Sequence, residues 1–121
     1  MTIPMEDLIS LGHILEASGW ALSVAEGRTR RDLDLDLQFF LALCRAIEVM
    51  GEAANRVSDA TKTRTPEIPW RRIIGMRNHL AHRYDNIDYD TLWDVSTTSL
   101  ITLTESVRQL LPGDFVPAPI R

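Results

Sequence analysis

Asp34-Leu-Asp-Leu-Gln-Phe-Phe-Leu-Ala-Leu-Cys-Arg-Ala-Ile-Glu-Val-Met-Gly-Glu-Ala-Ala-Asn-Arg-Val-Ser-Asp59 is the stretch on which the fold class turns. Phe40, Leu43, Cys44, Ile47, Met50, Ala54 and Val57 recur at i, i+3, i+4 and i+7, the stripe of an amphipathic helix. Just upstream, Asp32-Leu-Asp-Leu-Asp-Leu37 alternates with period two, as a strand would. A helix start is the better reading, because three aspartates suit the positive end of a helix dipole.

Outward from this segment the chain reads as further helices. Upstream, Leu8, Leu11, Leu15 and Leu22 share one face of a helix from about Glu6 to Glu26, with Gly27 as its stop. Downstream, Thr65-Pro66 and Ile68-Pro69 make Thr61–Pro69 a connection, since a residue before proline avoids helical backbone. Pro69 can open a third helix, running to His82 or Tyr84. Asp85–Asp88 is a turn with Asp88 as cap, and a fourth helix runs to about Leu111, before Gly113. Trp93, Leu100, Val107 and Leu111 line one edge of it, with Leu92, Leu103 and Leu110 beside them. Val95–Thr104 has poor helix propensity, but no other segment offers a partner strand. The expectation is an all-α, up-and-down bundle of four main helices over residues 1–111. Three prolines make residues 112–121 a non-helical tail, either frayed or a docking arm anchored by Phe115 and Val116.

Composition is that of an ordinary globular domain: 121 residues, 45% hydrophobic and 25% charged. The single cysteine, Cys44, excludes an intrachain disulfide and reads as a small buried apolar residue. The N-terminus lacks a basic segment followed by an unbroken apolar run, and no apolar run looks long enough to span a bilayer. Cytoplasmic location and no membrane partner are the expectations.

The net charge of −4 argues against nucleic-acid binding over the whole surface. Its distribution points elsewhere. Residues 70–84 carry four arginines, Arg71, Arg72, Arg77 and Arg83, and no acid, whereas the segments on either side are each acidic in balance. This basic island contains Arg77-Asn78-His79-Leu80-Ala81-His82-Arg83-Tyr84. Arginine presents a planar fork of donors to a phosphate, and histidine exchanges protons near neutral pH. Held at one phosphodiester, the two suffice in principle for RNA cleavage without a metal. On a helical wheel Arg77 falls in the middle of the apolar arc, so an ion pair with Glu48 or Glu52 is the plainer reading of its position. His82 lies about 140° away from it, so one straight helix cannot aim both at one atom. Either the helix distorts near His82 or a second subunit completes the site. Asn78 shares a face with His82 and could orient its ring or bind phosphate. His79 and His82, with Asp85 near, could hold a metal, but lack a clear third ligand.

Arg-x4-His-x-Tyr, here Arg77, His82 and Tyr84, resembles the signature of HEPN-domain ribonucleases, and most closely the HepT-like toxins. Glu48-Val-Met-Gly-Glu-Ala-Ala54 and Pro66-Glu-Ile-Pro-Trp-Arg-Arg-Ile-Ile-Gly-Met-Arg-Asn78 extend the resemblance over nearly the whole chain. It implies a dimeric helical bundle and a toxin that cleaves RNA without metal or other cofactor. His82 would be the general acid/base and Arg77 the transition-state clamp. The resemblance also implies neutralisation by a MntA-like nucleotidyltransferase antitoxin that transfers AMP to Tyr84. From the residues themselves, Arg71, Arg72 and Arg83 would contact the RNA backbone or a partner's acidic groups, Asn78 a phosphate, and Glu48 or Glu52 would orient Arg77. Arg83 is bulkier than the small residue many family members carry between His and Tyr. The alternative is a non-catalytic partner or substrate-binding subunit of such a nucleotidyltransferase, or a plain dimerisation scaffold.

Overall fold

The computed structural model describes residues 2–83, 85–116 and 118–120. Among these the regular structure is all helical: α1 (Met5–Ala25), α2 (Asp32–Leu35), α3 (Leu37–Arg56), α4 (Asp59–Arg64), α5 (Trp70–His82), α6 (Tyr89–Asp94) and α7 (Leu100–Arg108). A π-helical segment, Val95–Ser99, joins α6 to α7, so Tyr89–Arg108 forms one continuous fourth long helix. Packing runs α5 against α3, α3 against α1 and α1 against α7. The expected bundle is present, with α3 at its centre.

The α3 stripe is buried as its spacing requires: Leu43, Ile47, Met50, Ala54 and Val57 are at most 2% exposed, and Phe40 is half-buried. Burying each large aliphatic side chain contributes roughly 1.5–3 kcal/mol. Cys44 is buried beside them, and burial first, then the charge of Glu48, pushes its thiol up to about 11. On α1 the buried face is shifted from the expected leucines. Leu8 and Leu11 are buried, but Leu15 and Leu22 are only half-buried, and Ile14, Ala17, Ser18, Ala21 and Ala25 fill the contact. Small residues there let α3 approach closely.

Several boundaries differ from expectation. The aspartate-rich run is a single turn, α2, and α3 starts only at Leu37, where Asp36 accepts a hydrogen bond from the Phe39 N–H at 3.1 Å. Asp36 also binds Arg28 at 2.8 Å, so it caps a new helix and does not continue an old one. The supposed connection after Thr61 overlaps a short helix, α4, capped by Ser58. Gly27 does end α1, with φ +75°, and Asp88 does cap α6, accepting from the N–H groups of Asp90 and Thr91. The poor helix formers at Val95–Ser99 widen the helix into a π turn, with the Ser96 and Thr97 hydroxyls donating to the Leu92 and Trp93 carbonyls at 2.7 Å.

Two further expectations are corrected. By length and composition α1 could cross a membrane, with a mean hydropathy of 1.3, although half of that window is buried within the bundle. Its alanines and glycines hide the length of the apolar stretch from a search for large aliphatic runs. Val116 is not an anchor of the tail: it is 86% exposed, whereas Phe115 and Ile120 pack on the core.

Candidate active site

α5 carries the motif. Pro69 precedes it, and its carbonyl accepts the Ile73 N–H at 3.1 Å. The Trp70 ring N–H donates to the Thr65 hydroxyl at 3.1 Å, which pins the start of the helix to the α4 side of the bundle. Trp70, Ile73 and Leu80 are buried. Arg77 lies on this same face, as the wheel places it, and its side chain is 30% exposed.

A guanidinium on an apolar face needs partners, and it has them. Arg77 Nη2 meets Glu52 Oε2 on α3 at 2.9 Å, and Nη1 donates to Asn78 Oδ1 at 3.0 Å. Of the two candidate carboxylates, Glu52 is therefore the one in contact. Glu48 lies 3.9 Å from Arg45. Asn78 turns to the neighbouring cation and not to the His82 ring, because a donor carrying full charge offers the stronger hydrogen bond.

The crossing of α3 and α5 makes this geometry possible. A Cβ on Gly51 would overlap Arg77 Cβ and stand 2.8 Å from Arg77 Cγ and 3.3 Å from the Ile73 carbonyl oxygen. Only a bare α-carbon lets the Arg77 stem pass over α3 and reach Glu52. Beyond it opens a cavity of 420 Å³ between α1, α3 and the tail. His13, Arg45, Glu48, Glu52, Arg56 and Arg77 line it. Arg56 Nε also reaches Glu52, at 3.7 Å, so one carboxylate faces two guanidinium groups. His13, Arg45 and Arg56 were not singled out by sequence. Arg56, four residues after Glu52 on a helix, carried the one signal that could have found it.

His82 is not part of that cavity. It is the last residue of α5 and is exposed. The helix stays α-helical through it and breaks only at Arg83, at φ −128° and ψ 43°, so no distortion swings His82 towards Arg77 within one chain. His79 instead serves the turn after the helix, which it fastens by a hydrogen bond between its Nε2 and the Asn86 carbonyl at 2.7 Å. Among the other basic residues, Arg71 and Arg83 are exposed, and Arg72 lies 3.8 Å from Asp94. Tyr84 falls outside the described residues. Among the described residues, no three His, Cys, Asp or Glu side chains come together as metal ligands would.

A helical bundle of this order, with Arg-x4-His on its α5 helix, has the HEPN-like architecture. Residues 14–110 match the family described as Ribonuclease HepT-like, and the chain belongs to that family. It is similar to the Probable ribonuclease HepT of Thermococcus cleftensis, at 36% identity over 79% of this chain and 91% of that one. It is also similar to a protein of Caldanaerobacter subterraneus subsp. tengcongensis named “Putative RNase”, at 27% identity over 84% of this chain and 90% of the other. No solved structure matches the chain significantly.

Proposed function

We propose that this protein is an endoribonuclease that cuts RNA at a cleft shared by two subunits, and that it is the toxin of a toxin–antitoxin pair. Membership of the HepT-like family supports the RNase activity. One observation carries the composite site: Arg77 is held on one side of an undistorted helix while His82 stands exposed on another. Two copies facing each other could bring one chain's Arg77 to the other's His82. Leu37 and Leu41 on α3, 68% and 54% exposed, offer such a copy apolar surface.

The chemistry needs no metal-bound water, because RNA supplies its own nucleophile. His82 takes the proton of the 2′-OH, the 2′-oxygen bonds to the adjacent phosphorus, and the P–O5′ bond breaks. The products are a 2′,3′-cyclic phosphate and a 5′-OH, the latter protonated by water, to which His82 returns the proton it took. Arg77 stabilises the extra charge on the phosphorane oxygens, preorganised by Glu52 and Asn78. Arg71, Arg72 and Arg83 hold flanking phosphates.

Neutralisation follows from the same chemistry. A nucleotidyltransferase of the MntA type would join the Tyr84 phenolic oxygen to the α-phosphate of ATP, releasing pyrophosphate and passing the phenolic proton to its own base. The phosphate so fixed, two residues after His82 in the sequence, would repel RNA.

The test is incubation of unmodified protein with RNA in EDTA. Wild type cleaves and His82→Ala does not; cleavage by the variant, or none by the wild type, refutes the nuclease reading. With ATP, Mg²⁺ and the partner nucleotidyltransferase, an added AMP maps to Tyr84, and mapping to another residue refutes that assignment.

A further inference from the structure

The C-terminal tail folds back on the bundle. Phe115 and Ile120 pack half-buried on the core, and the Ile120 N–H donates to the Glu16 carboxylate of α1 at 3.1 Å. Pro119 and Ile120 thereby become a wall of the 420 Å³ cavity that holds Arg77. Between the anchors Val116 faces solvent. The tail lies beyond residues 14–110, so this wall is not part of what the family match carries.

The cavity is open to solvent along Arg45 and Arg56, and Arg77 is the least exposed guanidinium lining it. Three guanidinium groups, Arg45, Arg56 and Arg77, face two carboxylates, Glu48 and Glu52, leaving an excess of positive charge for an anion. Arg45 and Arg56 are 74% and 66% exposed, but Arg77 only 30%. Among the described residues the tail has no helix and no strand pairing. Among the described residues its hold rests on two apolar side chains and one hydrogen bond, the weak fastening expected of a segment that opens locally. Its prolines limit the freedom it loses on seating.

We propose that residues 118–120 form a strap that closes the Arg77 cavity and leaves before a phosphodiester reaches the guanidinium. The identity of that ligand rests on the ribonuclease reading; the closure does not.

Full-length Ile120→Asp and Glu16→Ala proteins test it. The first places a carboxylate against Glu16, and the second removes the acceptor while sparing Ile120. After circular dichroism has verified their helix content, each is treated with phenylglyoxal, and modification of Arg77 is followed by peptide mass mapping with exposed Arg71 as reference. Losing a hydrogen bond to a charged acceptor raises the open fraction about tenfold, so the Arg77-to-Arg71 rate ratio rises by about that factor in both variants. An unchanged ratio in both overturns the strap. Cleavage in EDTA, measured on the same preparations, gains in kcat/KM through KM while kcat stays constant. Faster Arg77 labelling with no cleavage by any protein keeps the strap and overturns the nuclease reading. Cleavage at wild-type rates with unchanged labelling does the reverse.

Discussion

At Gly51 the α3 backbone passes so close to α5 that a single methyl group would occupy the space of the Arg77 stem. The obstruction is the first carbon of the side chain, which cannot swing away without the helices moving apart. Gly51→Ala should therefore cost roughly 1–3 kcal/mol of stability, and should also break the Arg77–Glu52 contact and with it RNA cleavage. Gly75, on the exposed face of α5, has nothing within 4 Å of where its Cβ would be. Gly75→Ala should stabilise the protein by about 0.5–1 kcal/mol, the usual gain in a helix interior. Urea unfolding of the two variants beside wild type checks both signs, and a Gly51→Ala protein as stable as wild type would remove the close-crossing argument. Sequence alone showed Arg77 on an apolar face and named Glu52 among its partners. It did not show why Gly51 stands one residue before Glu52, because a wheel describes one helix and says nothing of how near the next one comes.

The helices themselves were largely legible, since α1, α3, α5 and the Tyr89–Arg108 helix each carry a long apolar period. What was hidden lies at their ends, where long-range hydrogen bonds override local preference. Asp7 is the clearest case. It is 4% exposed near the start of α1, and its carboxylate accepts from the Ser58 N–H at 3.0 Å, the Ser58 hydroxyl at 2.6 Å and the Thr61 hydroxyl at 2.5 Å. These bonds fix the α3–α4 turn to α1 and account for a short helix where prolines and threonines suggested only a connection. Burial alone would raise the Asp7 carboxyl, but the hydrogen bonds from Ser58 and Thr61, with help from Lys62, outweigh it and hold it below its ordinary value. A folded-state value below the unfolded one means stability that is present above about pH 4 and lost as pH falls through the depressed value. Asp7→Ala takes the carboxylate from three donors, the buried Thr61 hydroxyl among them, and should cost about 1–3 kcal/mol. The variant should also show a shallower loss of stability between about pH 5 and pH 2 than wild type. Denaturant titrations across that range measure the difference, and parallel pH profiles would mean that Asp7 is not the group responsible.

At the scale of the whole molecule, the charge map and the wheel lead to one question: whether a single chain holds a complete site. The basic island was plain in the sequence, and so was the angle of about 140° between Arg77 and His82. The undistorted end of α5 removes the intrachain remedy. If catalysis uses Arg77 of one subunit and His82 of the other, a closed twofold dimer has two equivalent sites, each drawing one residue from each chain. Arg77→Ala and His82→Ala homodimers are then both inactive. A mixed dimer is not: both defects fall in one of its sites, and the other is intact. Unfolding and refolding an equimolar mixture makes about half the dimers mixed, each with one working site, so RNA cleavage should recover to about a quarter of the wild-type rate. A site built within one chain predicts no recovery, since every chain in the mixture lacks one of its two residues. Each variant refolded alone at the same total concentration gives the baseline. Activity that stays there, with mixed dimers demonstrated by mass, would return both roles to one chain and require α5 to bend during catalysis.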